Sequence, residues 1–287
     1  MNINELTLES KDFPEALRDI PSPPQVLYHA GAPLDVLLTQ PRVTIVGSRS
    51  VSPYGRQVTT RLAGQLAEQG LVIVSGLALG IDGLAHQAAL DAGGLTIAVL
   101  PSPLETIVPA THRRLAQTIL DQGGALVSEY AAGETPFKQN FIARNRLMAG
   151  LGQVLLITEA AEKSGSLHTA RFALEQGKTV MAVPGNIGSR GSVGTNHLIK
   201  SGATPVTSYI DVLHALGLEP RQATDRAVKG RNAHEQSLLD LLAQGVSDGE
   251  ELLRRSGLTA SAFNQALTML EISSKVRTLG ANHWSTY

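Results

Sequence analysis

From residue 43 onward, β-branched and other apolar runs alternate with amphipathic stretches, and no other feature of the chain restricts its possible folds so sharply. The runs at 43–47, 71–75, 95–100, 125–129, 153–158, 179–183 and 205–207 are nearly continuous in apolar character. Strands buried on both faces read this way. Helical patterns lie between them at 55–69, 81–92, 112–122, 142–151, 167–176 and 196–201. Gly70, Gly93, Gly123, Gly177 and Gly202 follow these stretches, where a chain leaving a helix turns left-handed. Strand–helix–strand repeated this often predicts an α/β fold with a mostly parallel sheet covered on both sides. In such sheets ligands bind beyond the carboxyl ends of the strands, where the strand order reverses.

Residues 1–42 differ. Six prolines leave room only for short pieces, such as a strand at 26–29, and the segment is expected to cap the main domain, which spans 43–218. The polar stretch 219–232 reads as a linker. Beyond it, 235–244, 247–256 and 259–271 are helical in pattern, with Ser247 and Thr259 as expected N-caps. A hairpin turning at Gly280-Ala281-Asn282 would complete a winged helix over 233–287.

Hydrophobic residues at 43% and charged residues at 17% describe a chain that folds. A net charge of −1 excludes coating of a polyanion by bulk positive charge, so any such ligand must meet a local cationic groove. With no cysteine, disulfides and thiolate metal sites are excluded, and the eight histidines show no metal-ligand spacing, so neither metal nor cofactor is expected. No run is apolar and long enough to span a bilayer, and the first residues lack a basic-then-apolar leader pattern, so the expected location is cytoplasmic.

Five motifs fall at or just after strand ends. Gly47-Ser48-Arg49 places backbone N–H groups, a hydroxyl and a guanidinium together, which suits a phosphate; sterically driven turns of this kind are also common. Its spacing matches neither a dinucleotide fingerprint nor a Walker loop. Ser52-Pro53 should start the following helix. Asp82 and His86, four apart, read better as a helix cap and a packed imidazole than as an acid–base pair. Between 135 and 158 there are three basic residues and no acidic one: Lys138, Arg144 and Arg146, accompanied by Phe141 and Asn145. An aromatic among cations suits a base stacked beside a phosphate. Because Arg144, Asn145 and Arg146 are consecutive on a helix, they cannot all face one way, and one arginine is expected to be structural. Ser164-Gly165-Ser166 opens a helix and forms either an anion cradle or a plain cap. Pro184-Gly185-Asn186 and Ser192-Val193-Gly194-Thr195-Asn196 make a polar, glycine-rich loop at the same rim.

Together, IVGSR, SPYG, VSGLALGIDGLAHQAAL, SEY, NFIARNRLMAGL, EAAEKSGSLHTARFALEQGK, AVPG and GTNHLI resemble, in order, the DNA-processing protein A (DprA/Smf) family over residues 43–213. The last fifty-odd residues resemble the winged-helix domain that often follows. The resemblance implies a Rossmann-like core that binds single-stranded DNA, a homodimer, a role in loading the RecA recombinase during natural transformation, and no enzymatic turnover. It implies that Gly47, Ser48 and Arg49 hold a backbone phosphate, that Lys138 contacts a neighbouring one, and that Phe141 stacks on a base. Arg144, Asn145, Arg146, Ser164, Gly165, Ser166, Gly194, Thr195 and Asn196 are assigned to the same DNA-binding pocket. The chain departs from the family pattern at Pro101-Ser102-Pro103-Leu104 and Val108-Pro109, and the helical domain that many members carry at the N-terminus is not expected. The apolar residues of 199–218 are either a dimer surface or core.

Two other classes share such a core. A phosphoribohydrolase of the lonely-guy type needs a glutamate shortly after Gly-Thr, where this chain has Asn196 and His197. A sensor of a small nucleotide would use the same pocket.

Overall fold

The computed structural model describes residues 2–221, 230–273, 275–280 and 282–286. Nine strands form one sheet: β1 (Ile3–Thr7), β2 (Val26–Gly31), β3 (Arg42–Val46), β4 (Val72–Ser75), β5 (Thr96–Val99), β6 (Ala125–Ser128), β7 (Val154–Ile157), β8 (Thr179–Ala182) and β9 (Thr204–Pro205). Their order is β1-β2-β6-β5-β4-β3-β7-β8-β9. The chain therefore builds outward from β3 to β6, then returns to the other flank of β3 with β7. That return is the switch point. Strands β3 to β9 pair in parallel, while β2 runs antiparallel to both β1 and β6. The architecture is a Rossmann-like doubly wound α/β fold.

The β4, β5, β6 and β7 strands are buried at every position, which is why their sequences lack alternation. One face of the sheet packs Val46, Val74, Val99, Leu155 and Ile157 against Leu147, Leu151 and Ala173. The other packs Ile45, Ile73 and Leu156 against Leu62, Leu66 and Ala85. Residues 1–42 join this body: β1 and β2 widen the sheet, and Phe13 and Leu17 enter the first core. Within 199–218, Val206, Val212 and Leu213 are core residues of the second face.

Local signals act as expected at most helix ends. Ser52 Oγ accepts from the Gly55 N–H at 3.0 Å, with Pro53 opening the helix Pro53–Glu68. Gly70 leaves it at φ 84°. Asp82 does not cap the helix Ile81–Asp91, whose N-cap is Gly80; its carboxylate reaches back to the Gly76 N–H instead. The expected helix 142–151 is two helices, Lys138–Ala143 and Asn145–Leu151, joined at Arg144.

The chain divides into two compact units, Met1–Pro220 and Arg221–Tyr287. In the second, the helices Ala233–Ala243, Gly249–Ser256 and Ala260–Ile272 enclose Leu238, Leu252, Phe263 and Leu270, and β10 (Val276–Gly280) pairs antiparallel with β11 (His283–Thr286). This is a winged helix. Thr259 caps its helix, but the cap before it is Asp248, not Ser247. Asp248 Oδ1 takes the Glu251 N–H, while the Ser247 carbonyl is engaged by the Trp284 N–H of the wing. Of the expected linker, residues 222–229 lie outside the described residues, as does Ala281 of the expected hairpin turn.

Candidate nucleic-acid interface

Val46 of β3 pairs with Ile157 of β7, and the turns that follow these two strands line a cavity of about 690 Å³. Its walls come from the turn after β3, the turn after β7, and the helix Lys138–Ala143. The sequence that follows β3 is held tightly. The Ser48 N–H donates to the Glu159 carbonyl at 2.8 Å, and the Ser48 carbonyl accepts from the Ile81 N–H at 3.1 Å. At Gly47 a Cβ would lie 2.6 Å from the Ile81 side chain, so only glycine lets the turn pass.

Arg49 emerges from this fixed turn exposed, with its guanidinium carbon 5.3 Å from the centroid of the Phe141 ring. A cation over an aromatic face is attracted by the ring quadrupole. Lys138 and Lys163 stand exposed at the same cavity. None of these three cations has a carboxylate within ion-pair distance among the described residues. On the opposite wall Ser164, Gly165 and Ser166 lead into the helix Ser166–Glu175, with Ser164 Oγ and Ser166 Oγ 2.8 Å apart. The Ser166 N–H has only a long 3.4 Å contact to Ser164 Oγ, and Thr169 Oγ1, on the same wall, is buried without a partner. A helix N-terminus carrying such donors is favourable for an anion.

Arg144 also reaches the cavity, but its role differs from the expected one. It is only 2% exposed, and its guanidinium donates to the Gly76 carbonyl at 2.8 Å and to the Val99 carbonyl. A Cβ at Gly76 would meet that guanidinium at 2.6 Å. Burial lowers the Arg144 pKa to about 10, so it stays a cation at neutral pH. Burial raises the Asp82 carboxyl, against the opposing pull of Arg144 and of N–H bonds from Ala78 and Gly76. With its guanidinium bonded to two carbonyls, Arg144 supports the cavity instead of offering a free charge.

Arg146 lies off the cavity. Its guanidinium grips Glu129 through two bonds of 2.7 and 2.6 Å and reaches the Ser22 carbonyl. Both arginines that flank Asn145 are therefore engaged within the protein, where one was expected to be. Asn145 itself lines the cavity, its Nδ2 lying 3.4 Å from the Gly165 carbonyl. Gly194, Thr195 and Asn196 do not line it. The Gly194 N–H donates to the Ala160 carbonyl, Thr195 Oγ1 donates to the Ser192 carbonyl, and the Asn196 amide brackets Gly185 at 3.1 and 2.9 Å. These polar groups are engaged within the loop or by the turn after β7.

Two residues that matter here escaped the sequence reading. Lys163 directly precedes Ser164, and a lysine at that point of a helix start was the available signal. Glu159 is 3% exposed; its Oε2 accepts from the Ser52 N–H at 3.0 Å, and its carbonyl holds Ser48. Side chains at Gly55 or Gly191 would collide with its carboxylate. Glu159 thus ties together the turns after β3, β7 and β8.

His86 is sealed in the core with Nδ1 2.6 Å from Thr96 Oγ1, and burial lowers its pKa to about 3. It is a packed imidazole, as expected. Among the described residues no group of three or more His, Cys, Asp or Glu is placed to hold a metal, and no helix is long and apolar enough to cross a membrane. The arrangement can hold an anion between cations and helix N–H groups, and a flat apolar ring beside Phe141.

Fold and site together define a doubly wound α/β protein with a cationic, aromatic-lined cavity at the strand switch, followed by a winged helix. The chain belongs to the DNA recombination-mediator protein A family, whose profile matches residues 4–217, and the DprA winged helix domain matches 219–282. It is 50% identical over 175 residues to protein Smf of Escherichia coli K12, covering 61% of this chain and 47% of that one. It is 45% identical over 201 residues to DNA processing protein DprA of Streptococcus pneumoniae R6, covering 70% of each. The chain thus spans about half the length of Smf. Among solved structures it resembles DNA processing protein A of S. pneumoniae, with TM-score 0.69 and 42% identity over 75% of this chain and 74% of that one. It also resembles DNA processing protein A of Helicobacter pylori, whose single-stranded DNA binding mode was the subject of that structure, with TM-score 0.67 and 36% identity over 75% and 96%.

Proposed function

We propose that this chain is a DNA-processing protein of natural transformation that binds single-stranded DNA in the switch-point cavity and performs no chemistry on it. One observation carries the reading: Arg49 stacked on Phe141, with Lys138 and Lys163 free of carboxylates, around a cavity that also receives a helix N-terminus. The H. pylori relative's single-stranded DNA binding mode supports it. Gly47, Ser48, Arg49, Lys138, Lys163 and the Ser164-Gly165-Ser166 turn hold backbone phosphate, and Phe141 stacks on a base, worth about 1–3 kcal/mol. The strand-binding domain is 43–218 with 1–42 as its cap, and 233–287 is the accessory domain. Cytoplasmic location, a homodimer in which two cavities share one strand, and loading of RecA complete the proposal; the last two follow from the family resemblance. Pairing two weak cavities raises apparent affinity through effective concentration.

A small-nucleotide sensor is the second reading, because about 690 Å³ falls within the range of small-ligand sites. Fluorescence anisotropy with labelled oligo-dT, run beside calorimetry with a mononucleotide, separates the two. Three neutralised phosphates predict a slope of log affinity against log salt of about −2. Mononucleotide binding without oligo-dT binding overturns the strand reading.

A further inference from the structure

A second groove, of about 660 Å³, lies behind the turn that closes the first cavity. Ala78 and Asp82 of that turn face the first cavity, whereas Gly80 and Gly83 line the second. The wall between them is thin. A Cβ at Gly80 would lie 2.8 Å from the Arg49 Cα, and one at Gly83 would lie 2.7 Å from the His112 ring. Arg56, from the helix after Ser52, and Arg114, from the helix Arg113–Asp121, line the groove, and both are exposed. Neither has a carboxylate partner among the described residues. Thr111 adds a hydroxyl, whereas the Thr118 hydroxyl donates to the Arg114 carbonyl at 3.0 Å. His112 holds the Leu77 carbonyl through Nδ1, which leaves Nε2 unbonded within the described residues. No carboxylate lines the groove; Asp91, one turn along from Gln87, is engaged by the Gln87 amide at 2.7 Å.

We propose that this groove is a second subsite for the same single strand, one that takes backbone phosphate and sugar but no base. Two free guanidiniums and the Thr111 hydroxyl can donate to phosphodiester oxygens. The lining holds no Phe, Tyr or Trp, and its one ring, the half-buried His112 imidazole, is tied to the Leu77 carbonyl and packed against Gly83, so the groove offers no platform like that of Phe141. A strand whose base rests on Phe141 passes over Arg49, crosses the side-chain-free edge at Gly80, and sets its next phosphates between Arg56 and Arg114. The inference rests on the strand-binding reading of the first cavity.

The test is the double variant Arg56→Ala/Arg114→Ala, measured by anisotropy on oligo-dT of about 5 and about 20 nucleotides, lengths near the lower limit and beyond the upper limit of single-strand site sizes. Both side chains are exposed, so thermal unfolding should match the parent. The expected result is roughly five- to tenfold weaker binding of the long oligonucleotide, with the short one changed less than twofold. The salt slope on the long one should become shallower by about 1.4, two phosphates at 0.7 each. Arg56→Glu/Arg114→Glu should enlarge the loss on the long one. Parental affinity and slope at both lengths, with Arg49→Ala still weakening binding, overturn the second subsite alone. Equal losses at both lengths overturn it too, since a general field then explains them. If Arg49→Ala also leaves both lengths unchanged, the first cavity is misread and the second falls with it.

Discussion

Two glycine-rich polar loops stand at the same rim of the sheet, one after β7 and one after β8, and they behave oppositely. Around Ser164-Gly165-Ser166, Ser166 has a weakly engaged N–H, Thr169 has an unpartnered hydroxyl, and Lys163 is a free cation. Around Gly185 and Gly194-Thr195-Asn196, the groups that look equally available already have partners within the protein. Buried and half-buried polar groups must find partners, so a loop either satisfies itself or waits for a ligand. Composition does not separate these outcomes; a hydrogen-bond account does. The same contrast divides Arg49, exposed on Phe141, from Arg144, buried against carbonyls.

The most severe test of this contrast is Arg144→Ala. It takes the guanidinium donor from the buried Gly76 and Val99 carbonyls and removes a cation that favours the Asp82 carboxylate, at a cost of about 2–6 kcal/mol for two unsatisfied groups. Urea unfolding should show that loss, and a change below about 1 kcal/mol would make Arg144 a ligand group after all. Phe141→Ala should weaken oligo-dT binding by about 1–3 kcal/mol with little change in stability. Intact binding would remove the stacking role.

The packed imidazole adds a pH dependence. His86 binds its proton near 6.5 when unfolded but only near 3 when folded. The unfolded state therefore holds more protons between these values. Stability from this group is complete above about 6.5 and falls by about 1.4 kcal/mol per pH unit on acidification. Asp82, raised by burial, acts in the opposite sense, so the informative quantity is the difference between parent and His86→Asn. Identical acid limbs in the two proteins would sink the assignment. The smallest effect belongs to the satisfied loop: Asn196→Ala should cost about 1 kcal/mol of stability and change oligo-dT affinity less than twofold. A tenfold affinity loss at unchanged stability would return that loop to the site.

Much of the fold could be read in the chain because strands buried on both faces write themselves as continuous apolar runs. β1 could not: as an edge strand with most positions exposed or half-buried, Ile3–Thr7 carries no such run. Ser247 and Asp248 are both good caps side by side, and only the wing's bond to the Ser247 carbonyl decides between them. At the site, Arg49, Lys138 and Phe141 do meet, since each follows a strand end or helix start facing the switch point. The roles of Arg144 and Arg146 depended on where two neighbouring side chains turn. The break between Lys138–Ala143 and Asn145–Leu151 sets that, and no periodicity announces it. Glu159 was missed because its three tethers come from loops distant in sequence.

The central claim is that Arg49 and Lys138 grip a single strand at one cavity, and oligo-dT anisotropy on Arg49→Ala and Lys138→Ala tests it most directly. Each variant should unfold like the parent and bind at least about tenfold more weakly, with a shallower salt dependence. Parental affinity in both variants would contradict the account.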